Sequence, residues 1–357
     1  MKKSSKSPPI SFSSLPYEMV VNCLARISRF HRPTLALVSK SFRSLMASPE
    51  LDATRARMRV TEDCLYVCLD MGNKNNHDPR WFRLAPIPKR PKLLPVLDLF
   101  PCQHPKSSTV VSMGSEMYLI GGIVNKTRSR TMLALDCRSH QWRSLPEMIV
   151  PRDRPAAEVI HDKIYVIGGC SEHEHWGEVY DPKTLTWEPL SPTTSLELTT
   201  QKSVVPGRLV MGGKVYQMNG LKLSLKTCIC LAEIETNVWC ELGIFKGKLH
   251  WRDANADSMW RSVKGLRKIY PYQYFNSVAN SGGRRVTVWC KSRVEHLRQG
   301  LRDLEKCKTY IWCAEITLQR HGVSKLRGCV EWFKSVYTLG GLDCSSKFLL
   351  HSALVTH

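Results

Sequence analysis

The stretch EMYLIGGI, Glu116 to Ile123, is answered 47 residues later by KIYVIGGC, Lys163 to Cys170. Self-similarity at a period of roughly 20–50 residues marks a chain built from one repeated supersecondary unit. A weaker third copy, GGKVYQMNG, sets Lys214 and Tyr216 where Lys163 and Tyr165 stand, and Asn219-Gly220 replaces the glycine pair. Around each copy, β-branched and aromatic residues alternate with polar ones in short runs, the period of a strand. Gly121-Gly122 and Gly168-Gly169 each end a strand, where the backbone needs positive φ or an approach that a Cβ would block. The following strand carries Leu135-Asp136 or Tyr180-Asp181 ahead of the turns DCRS and DPKT. A tryptophan (Trp142, Trp187, Trp239) then begins the last strand of the unit and fills the space between neighbours.

One such sheet cannot bury both of its faces. Several arranged radially can, and they leave only short, protected edges. The pattern therefore predicts an all-β propeller over 58–357, with its clearest repeats at 107–150, 151–195 and 202–243. Strand-like units begin near Cys64, Val110, Ala157, Val204, Gly247 and Arg284, which suggests six blades, with five or seven as the alternatives. Val294 to Lys308 reads as an inserted, partly helical loop, and SKFLLHSALVTH as a closing strand that pairs with the first unit.

The N-terminal part has another period. Residues 1–10 alternate Lys, Ser and Pro and are expected to be disordered. In 11–57, Met19, Val20, Cys23, Leu24 and Ile27 share one helical face. Pro16 suits the start of that helix and Glu18 its positive end. Leu35, Leu37, Val38, Phe42, Leu45 and Met46 form a second apolar stripe, opened by Pro33 and followed by Pro49. A helical unit this small exposes an apolar patch unless it binds something.

The composition narrows the partners. The chain has 357 residues, 43% apolar, long enough for a small domain beside a large one. Its 52 Lys and Arg outweigh 31 Asp and Glu, giving +21, which favours acidic partners without choosing among them. The 14 cysteines lack the Cys-x-x-Cys pairs of a zinc site and follow a basic, polar N-terminus without an apolar signal core. They read as small buried hydrophobes in a reducing compartment, cytoplasmic or nuclear. No apolar run reaches the ~18–20 residues of a membrane span.

The double glycine, Tyr-Asp and tryptophan at fixed offsets resemble the kelch motif, most closely in IYVIGGC…VYDPKTLTWEPL. LPYEMVVNCLARIS and TLALVSKSFRSLMASPEL resemble an F-box, departing at Cys23, where a branched aliphatic is usual. Together they are similar to the plant F-box/kelch-repeat family, and YIWCAEITLQR…GCVEWFKSVYTL is similar to its terminal segment. The resemblance implies an F-box docked on the Skp1-like adaptor of an SCF-type cullin–RING ubiquitin ligase, and a propeller that presents a protein target for ubiquitination. It implies no cofactor and no catalysis by this chain.

The adaptor-binding set expected on that reading is Leu15, Pro16, Met19, Cys23, Leu24, Ile27, Leu35, Val38 and Phe42, some of them internal core. Kelch topology places the loops after the double glycine and the loops between units on one face. Arg128, Arg130, Arg152 and Arg154, with His173, His175 and Trp176, are the expected target-binding residues there. Arginine forks suit an acidic segment, although Arg152 stands where kelch repeats often keep a structural arginine. Cys170, His173 and His175 lack the further ligands of a metal site. The basic stretch Phe245 to Lys308 would suit phosphates, but no nucleic-acid module accompanies it. The alternatives are a kelch scaffold without a ligase role, or a basic propeller that binds nucleic acid. An enzymatic propeller would need a copper-ligating Tyr/His set or an arginine triad with Asp-box turns, and neither is evident.

Overall fold

The computed structural model describes residues 12–72, 77–85, 91–96, 100–170, 176–190, 208–211, 214–219, 222–228, 230–235, 238–253, 259–267, 269, 275–294, 297–298, 301–302, 308–322, 324–340 and 348–356. It divides into a helical unit up to Glu62 and a β unit over Asp63–Val355.

Among the described residues the helical unit has four α-helices, α1 (Tyr17–Ala25), α2 (Arg32–Leu35), α3 (Lys40–Met46) and α4 (Pro49–Arg57), and two short 3-10 turns. The second apolar stripe is not one helix. It breaks at Ser39, whose extended backbone and side chain accepting from Phe42 N make it the N-cap of α3. Pro49 opens a further helix, with Ser48 as its cap. Val20, Val21, Leu24, Ala25, Met46 and Leu51 form the core. Arg55, almost wholly buried, donates to Ala25 O and Ile27 O, both at 2.7 Å, and pairs with Glu62 at 3.2 Å. A cation there satisfies carbonyls left open at the C-terminal end of α1.

Among the described residues, the β unit is an antiparallel propeller of five four-stranded blades and one three-stranded sheet, with two short two-stranded hairpins besides. Blade A joins Leu349–Thr356 to Asp63–Asp70, Pro79–Ala85 and Lys92–Pro95. Blade B comprises Thr109–Met113, Glu116–Ile120, Met132–Asp136 and Gln141–Ser144; blade C comprises Ala156–Ile160, Lys163–Ile167, Gly177–Asp181 and Thr186–Pro189. Arg208–Met211, Lys214–Asn219 and Lys222–Cys228 make the three-stranded sheet. Blade D runs from Cys230–Glu235 through Val238–Phe245 and Lys248–Asp253 to Arg261–Ser262. Blade E holds Ser277–Asn280, Arg285–Val294, Lys308–His321 and Lys325–Gly340.

Among the described residues, the six units expected from the sequence are five complete blades and, near Val204, a three-stranded sheet. The boundaries also move. Cys230–Glu235, which the repeat pattern attaches to the third copy, opens blade D. Trp239 accordingly lies in the second strand of blade D and not at the start of a closing strand. Among the described residues between Val294 and Lys308 there is a short hairpin, Leu297–Arg298 with Leu301–Arg302, rather than helix. The segment that fits the repeat poorly forms the long outer hairpin of blade E, paired from Lys308↔Gly340 to His321↔Lys325.

First strands of consecutive sheets lie side by side, which places them innermost. The C-terminal strand takes this place in blade A: Ser112 Oγ of blade B donates to Leu354 O at 2.6 Å, and Leu354 packs over Gly282 beside blade E. The ring therefore closes as the sequence predicts. Stacking of blades explains CLYVCLD, Cys64 to Asp70, buried at every position. Leu65, Val67 and Leu69 pack with Trp289, Ile311 and Cys313 of blade E. On its other face, Tyr66 donates to Cys137 O of blade B at 3.1 Å.

The double glycines have a specific cause. Gly122 (φ +104°) and Gly169 (φ +76°) are equivalent positions where a Cβ would come within 2.6 Å of Lys106 O and 2.5 Å of Asp153 O. Each carbonyl belongs to the strand-entry segment of the same blade, so any side chain would push that segment out.

An aromatic joint lies beside the closing strand. Trp81 stacks on His351 at 5.9 Å and meets Trp142 at a tilt at 5.9 Å, and Phe100 meets both Trp142 and His104. His104 Nδ1–H donates to Pro105 O at 3.1 Å, leaving Nε2 to face the Cys68 thiol at 3.6 Å. Burial pushes His104 down to about 4 and keeps Cys68 protonated by raising it well above the usual thiol range. The folded value lies below the unfolded 6.5, so the unfolded chain binds more protons between them. Stability is full above pH ~6.5 and falls as pH drops toward 4, by about 3 kcal/mol in all. Denaturant titrations at pH 7 and pH 4.5 measure this, and His104→Gln should flatten the difference.

Candidate functional site: an apolar helical face and a basic propeller rim

On the helical unit, the core takes Val20, Val21, Leu24 and Ala25 from one side of α1. The opposite side leaves Met19 and Cys23, one turn apart, open to solvent beside Pro16. Met19 is 53% exposed. The turn between α2 and α3 exposes Leu37 at 77% and Val38 at 65%. Tyr17 and Phe12 are also open, Phe12 resting on Phe42 at 5.4 Å. Exposed apolar surface of this extent is characteristic of interaction sites.

On the propeller, the loop after Gly122 is a short hairpin, Ile123–Val124 with Thr127–Arg128, its tip formed by Asn125 and Lys126 in left-handed conformation. It bridges back to Lys106, and Ser129 bridges forward to Arg152. A cavity of 450 Å³ opens beside it, lined by Arg128, Arg130, Asn125 and Cys102 from blade B and its entry, and by Glu147 and Pro151 from the link to blade C.

A kelch-repeat family model (FKB95, Kelch-repeats domain) matches residues 73–337, and an F-box domain model matches residues 12–54. This chain belongs to the F-box/kelch-repeat family. Two Arabidopsis thaliana proteins bearing the F-box/kelch-repeat name are 53% and 54% identical to it, over 99% and 100% of this chain and 92% and 98% of their own. A third from the same plant is 46% identical over 100% of this chain and 98% of its own. F-box/kelch proteins are typically non-catalytic adaptors, and F-box domains typically bind Skp1-like adaptors.

The family's helical residues sort by burial. Leu24 is core. Leu15, Ile27, Leu35 and Phe42 are half-buried supports packed against it. Pro16, Met19, Cys23 and Val38 are open. Leu37 and Tyr17 are exposed apolar residues that the sequence-based set omits; Leu37 already stood in the apolar stripe, but periodicity could not reveal that its turn faces water.

The rim arginines separate in the same way. Arg128 and Arg130 are exposed and line the cavity. Arg154 is exposed too, with Nε 3.4 Å from Asp153. Arg152 is not on the surface: it is fully buried, its Nε donating to Glu178 at 2.7 Å and Nη1 to Gly168 O at 2.7 Å and Trp176 O at 3.1 Å. Glu178 in turn accepts from Ile149 N at 2.6 Å. Arg152 therefore knots the entry of blade C to its double-glycine loop, which is a structural task. Trp176 packs beside Ala156, Ile167 and Leu190. His173 and His175 lie outside the described residues. Trp187 donates from Nε1 to Pro146 O at 2.9 Å, tying blade C to the preceding link. Tyr180 is buried against it at 5.1 Å, and Asp181 accepts from Lys183 N at 2.9 Å in its turn. Among the described residues no group of three or more His, Cys, Asp or Glu is placed to hold a metal.

Proposed function

We propose that this chain is the substrate receptor of an SCF-type cullin–RING ubiquitin ligase, its F-box bound to the Skp1-like adaptor and its propeller to a protein target. The observation that carries this reading is the uncovered apolar face of Pro16, Met19, Cys23, Leu37 and Val38 within the matched F-box. The chain contributes proximity, not side-chain chemistry. One end fixes it to the ligase and the other holds the target, so that effective concentration drives ubiquitin transfer to a target lysine. Its buried free thiols suit the reducing cytoplasm or nucleus.

The test is capture of the purified adaptor by the full-length chain at low and high salt. Apolar docking resists salt, whereas attraction by the +21 charge does not. Leu15→Ala with Pro16→Ala should abolish capture while the propeller stays folded by circular dichroism. Salt-sensitive capture, or capture retained by the double variant, would count against the proposal.

A further inference from the structure

The cavity on the blade B rim has a chemistry of its own. Several basic side chains around the propeller are already neutralised: Arg143 by Glu116, Lys163 by Asp181, Arg252 by Glu241, Arg320 by Asp253 and Arg285 by Glu315. Arg128 and Arg130 are not. Neither guanidinium has an ion-pair or hydrogen-bond partner among the described residues, and the two line the same 450 Å³ cavity. Lys126, at the hairpin tip, and Lys106, bridged to its base, are likewise exposed and unpaired among the described residues. Arg154 joins the rim through its amide, which donates to Ser107 O at 3.1 Å. The carboxylates nearby are Glu147 in the lining and Asp153, which pairs with Arg154.

Local hydroxyls do not offset this charge. Ser129 donates to Thr131 at 2.6 Å and accepts from Thr131 N at 3.0 Å, and Thr127 donates to Val124 O at 2.8 Å; among the described residues neither hydroxyl oxygen accepts from Arg128 or Arg130. Arg128 ends the hairpin and Arg130 follows two residues later, and both line the cavity. Two planar forks with no partner among the described residues, at the wall of a ligand-sized cavity, match carboxylates bidentately.

We propose that this cavity takes an acidic segment of the target protein, an extended peptide whose Asp or Glu side chains pair with Arg128 and Arg130. This names the substrate class of the receptor and rests on that reading, but the binding chemistry stands apart from the adaptor. Glu147, in the wall, limits the pocket to segments whose carboxylates sit opposite the arginines and not beside it.

The probe is a fluorescent peptide of alternating Glu, Asp and Gly, titrated into the full-length chain, with a Gln/Asn peptide of the same length as control. Arg128→Ala with Arg130→Ala should weaken acidic-peptide binding at least ~10-fold, as expected for two charge-assisted pairs. Lys248→Ala with Lys325→Ala removes the same charge elsewhere on the propeller and should weaken it less than ~2-fold. Bound peptide should also slow alkylation of Cys102, which lines the cavity, and leave the exposed Cys23 unaffected. Equal losses in the two double variants would overturn the proposal, since attraction would then be to net charge alone. Displacement of the peptide by a single-stranded oligonucleotide, with Cys102 protected by it, would overturn it in favour of nucleic acid. Adaptor capture by the Arg128/Arg130 variant should match that of the parent. Failure of capture in both, with peptide binding intact, would sink the ligase role and leave this site standing.

Discussion

A chain that ends after residue 347 is expected to lose the closed propeller. The removed segment includes the innermost strand of blade A and carries Phe348, just before that strand, and Val355, both fully buried. Full burial of a Val or Phe side chain stabilises by roughly 1.5–3 kcal/mol, so these two alone come to about 3–6 kcal/mol. The ladder is lost as well, beginning with Asp70 N to Phe348 O at 2.7 Å. Domains of this kind have only about 5–15 kcal/mol to lose. Asp63–Asp70 would then present an apolar, unpaired edge, a template for association. Light scattering and thermal unfolding should show aggregates and no cooperative transition for the shortened chain. A monomer that melts like the full chain would show that the C-terminal strand does not close the ring.

Arg152→Ala should be nearly as damaging, although it alters one residue. Removing one partner of a buried ion pair costs about 3–5 kcal/mol because the other charge stays buried without compensation. Glu178, 1% exposed, would be that charge. A melting temperature roughly 10 °C lower is the expected reading for a domain of this size. Buried pairs can often be replaced by apolar residues with little loss, but not this one. Arg152 also satisfies Gly168 O and Trp176 O, and Glu178 satisfies Ile149 N. Arg152→Met with Glu178→Met would leave those backbone groups open and should not restore the parent stability. A double variant as stable as the parent would mean that the backbone contacts contribute nothing.

These cases show what one sequence can carry. Gly121-Gly122 and Gly168-Gly169 were legible because backbone sterics allow few substitutes where Lys106 O and Asp153 O press in. The closing strand was legible as an apolar run at the chain's end with no local partner. Blade boundaries after 195 were not, because the glycine pair is lost in the third copy and nothing local separates Lys222–Cys228 from Cys230–Glu235. In the helical unit, periodicity found the apolar residues but could not divide Leu24, in the core, from Met19, in water. That division depends on where α4 packs, with Arg55 reaching back to the end of α1. At the rim, only the kelch resemblance set Arg152 apart from Arg128, Arg130 and Arg154, and it did not show what Arg152 holds. Only the partner, Glu178 for Arg152 and none among the described residues for Arg128 and Arg130, tells a structural arginine from one free to bind.

The central claim is that the exposed F-box face binds the ligase adaptor, and calorimetric titration of the full-length chain with that adaptor tests it most directly. The account predicts one-to-one binding that persists at high salt, with the negative heat-capacity change of apolar burial. Met19→Asp with Val38→Asp, both on the open face, should abolish that heat while leaving thermal unfolding of the propeller unchanged. No binding by the correctly folded chain, or equal binding by the double variant, would contradict it.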